Sequence, residues 1–250
     1  MNIVGRPPVV VGVDGSARDA AVLWRAVLAA RSYDVPLLVV HVVGRDLARG
    51  HEVLDAARRA VEAAGGLPEV SYDLRAGSPD VVLRCPAMNA TLLVLGAPGT
   101  DRPPPRPSCA ELLAASNPAP VLVVRGAGPH SGPVVAAVDG SYASEHVLAY
   151  AMEEAEHGGR ALTLLHVTDG RSDLPRGLGA VVSTWQAKYP EVAVAVRVRV
   201  GDPAALLAEE SHRSGLLVFA ARPPGHFAAN LLGAVGRHVL YAAESDVAVV

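Results

Sequence analysis

Lysine and cysteine are scarce in this chain of 250 residues, and it has no cluster of basic residues of the kind that binds nucleic acid. Lys188 is the single lysine and stands in a Lys-Tyr-Pro turn, and no G-x-x-x-x-G-K-[ST] motif occurs, which excludes P-loop hydrolysis. Cys85 and Cys109 are too few and too isolated for a disulfide framework or a zinc cluster, as is typical of a reducing cytosol. Because the formal net charge is -3 and no basic cluster is present, we expect no nucleic-acid partner.

The sequence also contains no long apolar run, and its first residues do not show the pattern typical of a leader peptide. No run approaches the length of a membrane helix, and the residues before the first predicted strand lack a charged region followed by an apolar one. Hydrophobic residues nevertheless make up 50% of the chain, enough for a substantial core. We therefore predict a cytoplasmic protein with no membrane partner.

The chain repeats itself after about 125 residues, which is an ordinary domain length. The repeated features, in unchanged order, are Asp14-Gly15-Ser16 with Asp139-Gly140-Ser141, His41-Val42 with His166-Val167, Gly77-x-Pro79 with Gly201-x-Pro203, and Leu92-Leu93-Val94 with Leu216-Leu217-Val218. Gly and Pro are concentrated between the copies, as in a linker. The sequence thus predicts a first domain at 1–126, a linker at 127–132 and a second domain at 133–250.

Apolar strands alternate with helical stretches in both copies, which predicts α/β domains with doubly wound parallel sheets. In the first copy, Ser16-Ala-Arg-Asp19 has the form of a capping box that opens a helix. The last strands, Val121 to Val124 and Asp246 to Val250, are apolar, and an uncovered apolar edge favours pairing. We expect the two domains to pair through these strands; an interior position for each strand, and a homodimer of the whole chain, remain open alternatives.

Five motifs together resemble the universal stress protein family: the V-x-V-D-G-S start, an L-H-V second strand, G-x-P before the third helix, L-L-V-x-G in the fourth strand, and a P-x-P-V-L-V-V ending. The resemblance covers essentially the whole chain as a tandem of two such domains. It implies a five-stranded parallel sheet of order 3-2-1-4-5 in each domain and a non-catalytic stress-response module. In the nucleotide-binding branch of the family it also implies ATP at the carboxyl end of the sheet.

The first domain matches most of the nucleotide-binding residues that the resemblance implies. Asp14 matches the aspartate that contacts the sugar and base region, and Val42 matches the position whose backbone faces the adenine. Gly96, Gly99 and Ser108 match parts of the phosphate loop, G-x-x-G, nine residues, then G-[ST]. The loop is two residues short, and a proline without an N–H donor precedes Ser108. The resemblance therefore implies an ATP site in the first domain with a weakened phosphate loop.

The second domain has lost more of this pattern. Asp139, Val167 and Gly233 are retained, but Ala220 and Pro223 replace the first two loop glycines, and alanine replaces the final serine. These changes remove a close-approach position, a backbone donor and a hydroxyl. We therefore expect no triphosphate binding at Asp139, Val167 and Gly233.

Structural roles compete with each of these functional interpretations. Asp-Gly is a common turn pair, so Asp14 and Asp139 also fit plain turn chemistry, and valines within strands fit core packing. His41 and His166 favour hydrogen bonding within the strands, because no further ligand stands at metal spacing; no metal site is predicted. No base or nucleophile motif is found, so the protein is predicted not to be an enzyme. The alternative to nucleotide binding is a structural or protein-interaction module of the same fold.

Overall fold

The computed structural model of the chain describes most of its length. The described residues are 6–44, 46–65, 67, 69–99, 106–126, 131–170, 177–221 and 232–250, without the side chains of 142 and 143. They form two compact units: 6–98 with 108–126, and 131–250 with residues 99, 106 and 107 grouped beside them. The parts of the predicted linker and phosphate loops at 127–130, 100–105 and 222–231 lie outside the described residues.

The first unit alternates strands and helices as the sequence predicts. Its elements are β1 (Val9–Val13), α1 (Asp19–Tyr33), β2 (Leu37–Val43), α2 (Leu47–Ala63), β3 (Val70–Ala76), α3 (Pro79–Val82), α4 (Arg84–Ala87), β4 (Leu92–Gly96), α5 (Cys109–Ser116) and β5 (Val121–Val124). The predicted capping box at Ser16 differs in register from the structure, because α1 begins at Asp19 with Arg18 as its N-cap residue.

The second unit repeats the order. Its elements are β6 (Val134–Ala137), α6 (Tyr142–His157), β7 (Leu162–Thr168), α7 (Leu178–Lys188), β8 (Val194–Val200), α8 (Pro203–Ser211), β9 (Leu216–Phe219), α9 (Ala234–Ala242) and β10 (Asp246–Val249). Asp202 caps α8 by accepting the Ala205 N–H at 2.8 Å, with Pro203 in the first turn, where its missing N–H leaves no helical bond unmade.

Each unit contains a parallel sheet with the strand order expected from the resemblance. The order is β3-β2-β1-β4-β5 in the first unit and β8-β7-β6-β9-β10 in the second. In the first, Val9 lies opposite Leu37 of β2 on one side and opposite Leu92 of β4 on the other. From β1 the chain adds strands β2 and β3 on one side of the sheet and then β4 and β5 on the other. Such a switch in strand order creates a crevice outside the carboxyl ends of the strands.

The central strands are buried on both faces, which explains their nearly continuous apolar sequences. Val9, Val10 and Val11 of β1 and Leu216 and Leu217 of β9 have no solvent-exposed surface. Burial of this kind supplies the main favourable free energy of folding, at about 25 cal/mol per Å² of apolar surface. The predicted fold class, two tandem doubly wound α/β domains, is confirmed.

Candidate functional site

The turn after β1 is built around Asp14. Its Oδ1 accepts the Ser16 N–H at 2.9 Å, and Gly15 has φ of +84°, which favours glycine. Asp14 therefore does make the turn that its Asp-Gly pair predicts. The hydrogen bond to Ser16 uses one carboxylate oxygen, so a turn role does not exclude a ligand role.

A second carboxylate supports the same turn. Asp19, the first residue of α1, accepts the Gly15 N–H at 2.8 Å and the Asp14 N–H at 3.3 Å. Burial raises the pKa of Asp19 above its ordinary value, and proximity to Asp14 adds to this, while the two backbone hydrogen bonds act in the opposite direction. The first unit thus presents two neighbouring carboxylates at this end of its sheet.

The second unit forms the same turn with a hydroxyl in place of the second carboxylate. Ser144 Oγ accepts the N–H groups of Asp139 and Gly140 at 3.0 and 3.2 Å and donates to Asp139 Oδ1 at 2.8 Å. The Ser141 N–H also donates to that oxygen, at 2.9 Å. Burial alone would raise the pKa of Asp139, but the hydrogen bonds from Ser141 and Ser144 outweigh it and lower the pKa.

The strand histidines have structural partners, as predicted. His41 Nδ1 donates to the Val13 carbonyl at 2.8 Å, and His166 Nδ1 donates to the Val138 carbonyl at 2.9 Å. Both side chains are buried. Each histidine holds the end of the central strand next to its own, which positions the aspartate turn that follows.

A cavity of about 200 Å³ lies at the carboxyl ends of β1, β2 and β4. Its lining residues are Gly12, Val13, Asp14, Ser16, Arg18, Asp19, Val40, Val42, Pro79, Leu83, Leu95, Gly96, Ala97, Cys109 and Ala110. Three predicted residues, Asp14, Val42 and Gly96, are brought together here. Gly99 and Ser108 are not among the lining residues, and Gly99 groups with the second unit.

The N-terminus of α5 reaches the same cavity through its first two residues. Ser108 caps the helix, with its Oγ accepting the Glu111 N–H at 3.2 Å, so its hydroxyl proton is left to donate elsewhere. Cys109 follows and lines the cavity. Burial, together with the charge of Asp80, raises the pKa of the Cys109 thiol to about 12, which keeps it protonated at neutral pH.

The depth of the first cavity is limited by two leucines above Gly12. A Cβ on Gly12 would lie 2.8 Å from Leu95 Cδ2 and 3.1 Å from Leu83 Cδ1. The leucines therefore occupy the space that the absent side chain leaves. The second unit carries Ala137 at the matching place in the repeat.

The second unit has a larger cavity of about 600 Å³ at the matching edge of its sheet. Its lining residues are Ala137, Val138, Asp139, Ser144, Leu165, Val167, Pro203, Leu207, Phe219, Ala220, Ala221, Leu232, Gly233, Ala234, Val235 and Gly236. All three of the second domain's predicted residues, Asp139, Val167 and Gly233, line it. Gly233 is the N-cap residue of α9 and supplies no side-chain cap, where α5 has the Ser108 hydroxyl.

Sequence reasoning missed the partners of the two aspartates. The capping-box pattern assigns Asp19 to a helix cap, and no motif includes Ser144, although the two lie at matching positions of the repeat. Comparing the copies residue by residue around Asp14 and Asp139 would have revealed that a carboxylate in one is a hydroxyl in the other. Within the part of the chain that the structure describes, no cluster of three metal-ligating side chains occurs, and no helix is long and apolar enough to cross a membrane.

Two doubly wound sheets, each with a carboxylate turn and a cavity at its switch point, define a tandem protein of the doubly wound α/β class. Comparison with known proteins identifies its family. The model of the universal stress protein family matches residues 131–250. A universal stress protein of Mycolicibacterium smegmatis is 32% identical over an alignment of 285 positions, covering 97% of this chain and 96% of that protein.

A universal stress protein of Mycobacterium tuberculosis is 30% identical over an alignment of 284 positions, covering 96% of this chain and 95% of that protein. The crystal structure of a universal stress protein from Archaeoglobus fulgidus has the same fold, with a TM-score of 0.76 and 18% identity over 96% of this chain and 95% of that one. The chain belongs to the universal stress protein family, as the sequence motifs predict.

Proposed function

We propose that this protein is a non-catalytic universal stress protein that holds an adenine nucleotide in its first half and not in its second. The observation that carries the proposal is the convergence of Asp14, Val42 and Gly96 on one cavity at the switch point of the first sheet. These residues come from three different strand ends and are the ones that the family resemblance implies for the base, the sugar and the phosphate loop.

The chemistry of the first cavity suits a nucleoside with its phosphates outside. The Asp14 carboxylate can accept a hydrogen bond from a ribose hydroxyl or an amine, because the Ser16 N–H occupies only one of its acceptor sites. The cavity, about 200 Å³, is below the roughly 300 Å³ at which small-molecule sites usually begin, so it fits part of a nucleotide rather than all of ATP. Arg18 at the lining and the Ser108 hydroxyl at the start of α5 offer phosphate partners.

A non-catalytic role is supported by the same lining residues. Among the described residues that line the first cavity there is no histidine, and Cys109 is held as a thiol by its raised pKa of about 12. A bound nucleotide therefore meets no histidine base and no thiolate nucleophile, and the carboxylates of Asp14 and Asp19 already accept backbone N–H groups of the turn. We expect ATP to be recovered unchanged after prolonged incubation with the protein and Mg²⁺, as measured by mass analysis of the products.

Titration of fluorescently labelled ATP against the full chain tests the proposal. Wild type should show saturable binding at millimolar ATP or below. Asp14→Asn keeps the Oδ1 acceptor of the turn but loses the charge and the second acceptor; affinity should fall by about tenfold or more, the value of a charged hydrogen bond. Asp139→Asn is the matched control and should leave ATP binding unchanged.

The alternative is a structural or protein-interaction module that binds no nucleotide, and one observation favours it. Asp19 places a second carboxylate next to Asp14, where it repels phosphate groups. Absence of saturable ATP binding at millimolar concentration, or equal losses in the Asp14→Asn and Asp139→Asn variants, would contradict nucleotide binding in the first half and leave this alternative.

A further inference from the structure

The cavity of the second half differs from its counterpart in size and in chemistry. At about 600 Å³ it lies within the range of small-molecule sites, about 300–1,000 Å³, while the first cavity measures about 200 Å³. Most of its wall is aliphatic or aromatic, with Leu165, Val167, Leu207 and Phe219 among its members. Such a wall favours an apolar ligand.

Substitutions between the two copies account for the difference in chemistry. Phe219 ends β9, at the place where β4 has Leu95, and Ala137 stands in the place of Gly12. In the first half, the side chains of Leu95 and Leu83 lie over Gly12. In the second half, the Ala137 methyl group stands at the position that Gly12 leaves without a side chain. Ser144 replaces Asp19, which removes one of the two carboxylates from the turn.

Asp139 is the single charged residue among the described residues that line this cavity. Its Oδ1 accepts hydrogen bonds from the Ser141 N–H and the Ser144 hydroxyl, which fix the carboxylate at the cavity edge. These bonds do not involve Oδ2, and this oxygen can accept one further donor. A phosphate or sulfonate, in contrast, would face a carboxylate without a cationic partner from the described lining.

Water is a poor occupant of most of this volume. A buried water molecule needs two to four polar partners, and the wall formed by Leu165, Leu207 and Phe219 offers none from its side chains. Replacing such weakly bonded water with an apolar group is favourable. The cavity is thus suited to a molecule with an apolar body and one polar end.

We propose that the second half binds a small, largely apolar molecule carrying one hydrogen-bond donor, an amine or a hydroxyl, with the apolar body against Leu207 and Phe219 and the donor on Asp139. The loss of the phosphate-binding glycines is then a change of ligand class in this half, and the site has not simply decayed. This proposal does not rest on nucleotide binding by the first half.

Fluorescence titration of the full chain with N-phenylnaphthylamine tests the proposal, because this probe is apolar, carries one N–H and brightens in apolar surroundings. We expect saturable binding at one site per chain. Anilinonaphthalene sulfonate has the same ring system with an added negative charge, and it should bind at least about tenfold more weakly because of Asp139.

A matched pair of variants locates the probe. Val167 lines the larger cavity and Val42 lines the smaller one, and both residues are half-buried. Val167→Phe should lower the affinity for N-phenylnaphthylamine by about tenfold or more, since its ring takes up space in the larger cavity, while Val42→Phe should leave it unchanged. Circular dichroism and urea unfolding of both variants establish that each still folds.

A second variant keeps the test independent of packing changes. Asp139→Asn retains the Oδ1 acceptor for the turn but removes the charge, so it should weaken the amine probe and reduce the discrimination against the sulfonate. The proposal is overturned by lack of saturable probe binding, by equal losses in Val42→Phe and Val167→Phe, or by a sulfonate that binds as tightly as the amine to the wild-type protein.

Discussion

The substitution Asp19→Ser gives the first half the residue that the second half has at the matching position, Ser144. The structure predicts that the turn is kept and that the binding of charged ligands changes. The Asp19 carboxylate accepts the N–H groups of Gly15 and Asp14 at 2.8 and 3.3 Å. The Ser144 hydroxyl accepts the corresponding pair at 3.2 and 3.0 Å. A serine can therefore maintain this turn, and we expect the free energy of unfolding to change by less than about 1 kcal/mol.

The pH dependence of stability should also change, in a defined direction. Because burial raises the pKa of Asp19 above 3.8, the folded state binds this proton more tightly than the unfolded state does. In wild type, the contribution of Asp19 to stability therefore falls as the pH rises from the ordinary pKa of an aspartate through the raised pKa of Asp19. In urea unfolding across that pH range, wild type should lose stability relative to Asp19→Ser as the pH increases.

Removing this carboxylate should strengthen the binding of phosphate-bearing ligands to the first half. Two unit charges about 7 Å apart in water repel by about 0.6 kcal/mol. Because AMP carries two negative charges, replacing Asp19 should make its binding more favourable by about 1.2 kcal/mol, which is about sevenfold in affinity. Adenosine has no phosphate and should bind equally to both proteins. At about 1 M salt the gain for AMP should largely disappear, because the Debye length is then about 3 Å.

Parallel titrations of AMP and adenosine against wild type and Asp19→Ser, at low and high salt, measure this effect. An equal change for AMP and adenosine would show that the substitution acts through packing and not through charge. Unchanged AMP affinity at low salt would refute the conclusion that the second carboxylate opposes phosphate binding.

Three further predictions concern packing, reactivity and charge. Gly12→Ala should lower the free energy of unfolding in urea by about 1–3 kcal/mol by crowding the leucines above it, and a variant as stable as wild type would contradict that contact. Cys109, with a pKa raised to about 12, should be alkylated by iodoacetamide far more slowly than the exposed Cys85 in a time course followed by mass spectrometry, since very little of it is thiolate near pH 8; comparable rates would contradict its partial burial. Glu210→Gln should lower stability in urea by about 1 kcal/mol, because this carboxylate is 8% exposed between two arginines, while Glu209→Gln, 48% exposed, should have an effect below about 0.5 kcal/mol; equal effects would contradict the difference in burial.

The sequence was sufficient for the fold because local and repeated signals agree. Continuous apolar strands such as Val9 to Val13, separated by helices and turn glycines, allow few arrangements other than a parallel sheet, and the recurrence of Asp14-Gly15-Ser16 at Asp139 indicates two copies. The capping box puts the N-cap of α1 at Ser16, two residues before its place at Arg18, because Asp19 uses its carboxylate on the turn and not on a helix cap.

The candidate sites were predicted less completely, since cavity size depends on contacts between distant residues. The motif match led to Asp14, Val42 and Gly96, which do share a cavity. The larger cavity in the other half is lined by residues far from Asp139 in sequence, such as Leu207 and Phe219, which no motif connects to it. Domain boundaries, the pairing of the last strands, a homodimer and the cytoplasmic location stay predictions.

The central claim is that two copies of one fold present sites for two different classes of ligand. Titrating ATP into protein already saturated with N-phenylnaphthylamine, and the probe into protein already saturated with ATP, tests it most directly. Independent sites predict that each ligand binds with the same affinity whether or not the other is present, and that one molecule of each is held per chain. Displacement of the probe by ATP in proportion to ATP occupancy would contradict the claim, because the two ligands would then share one site.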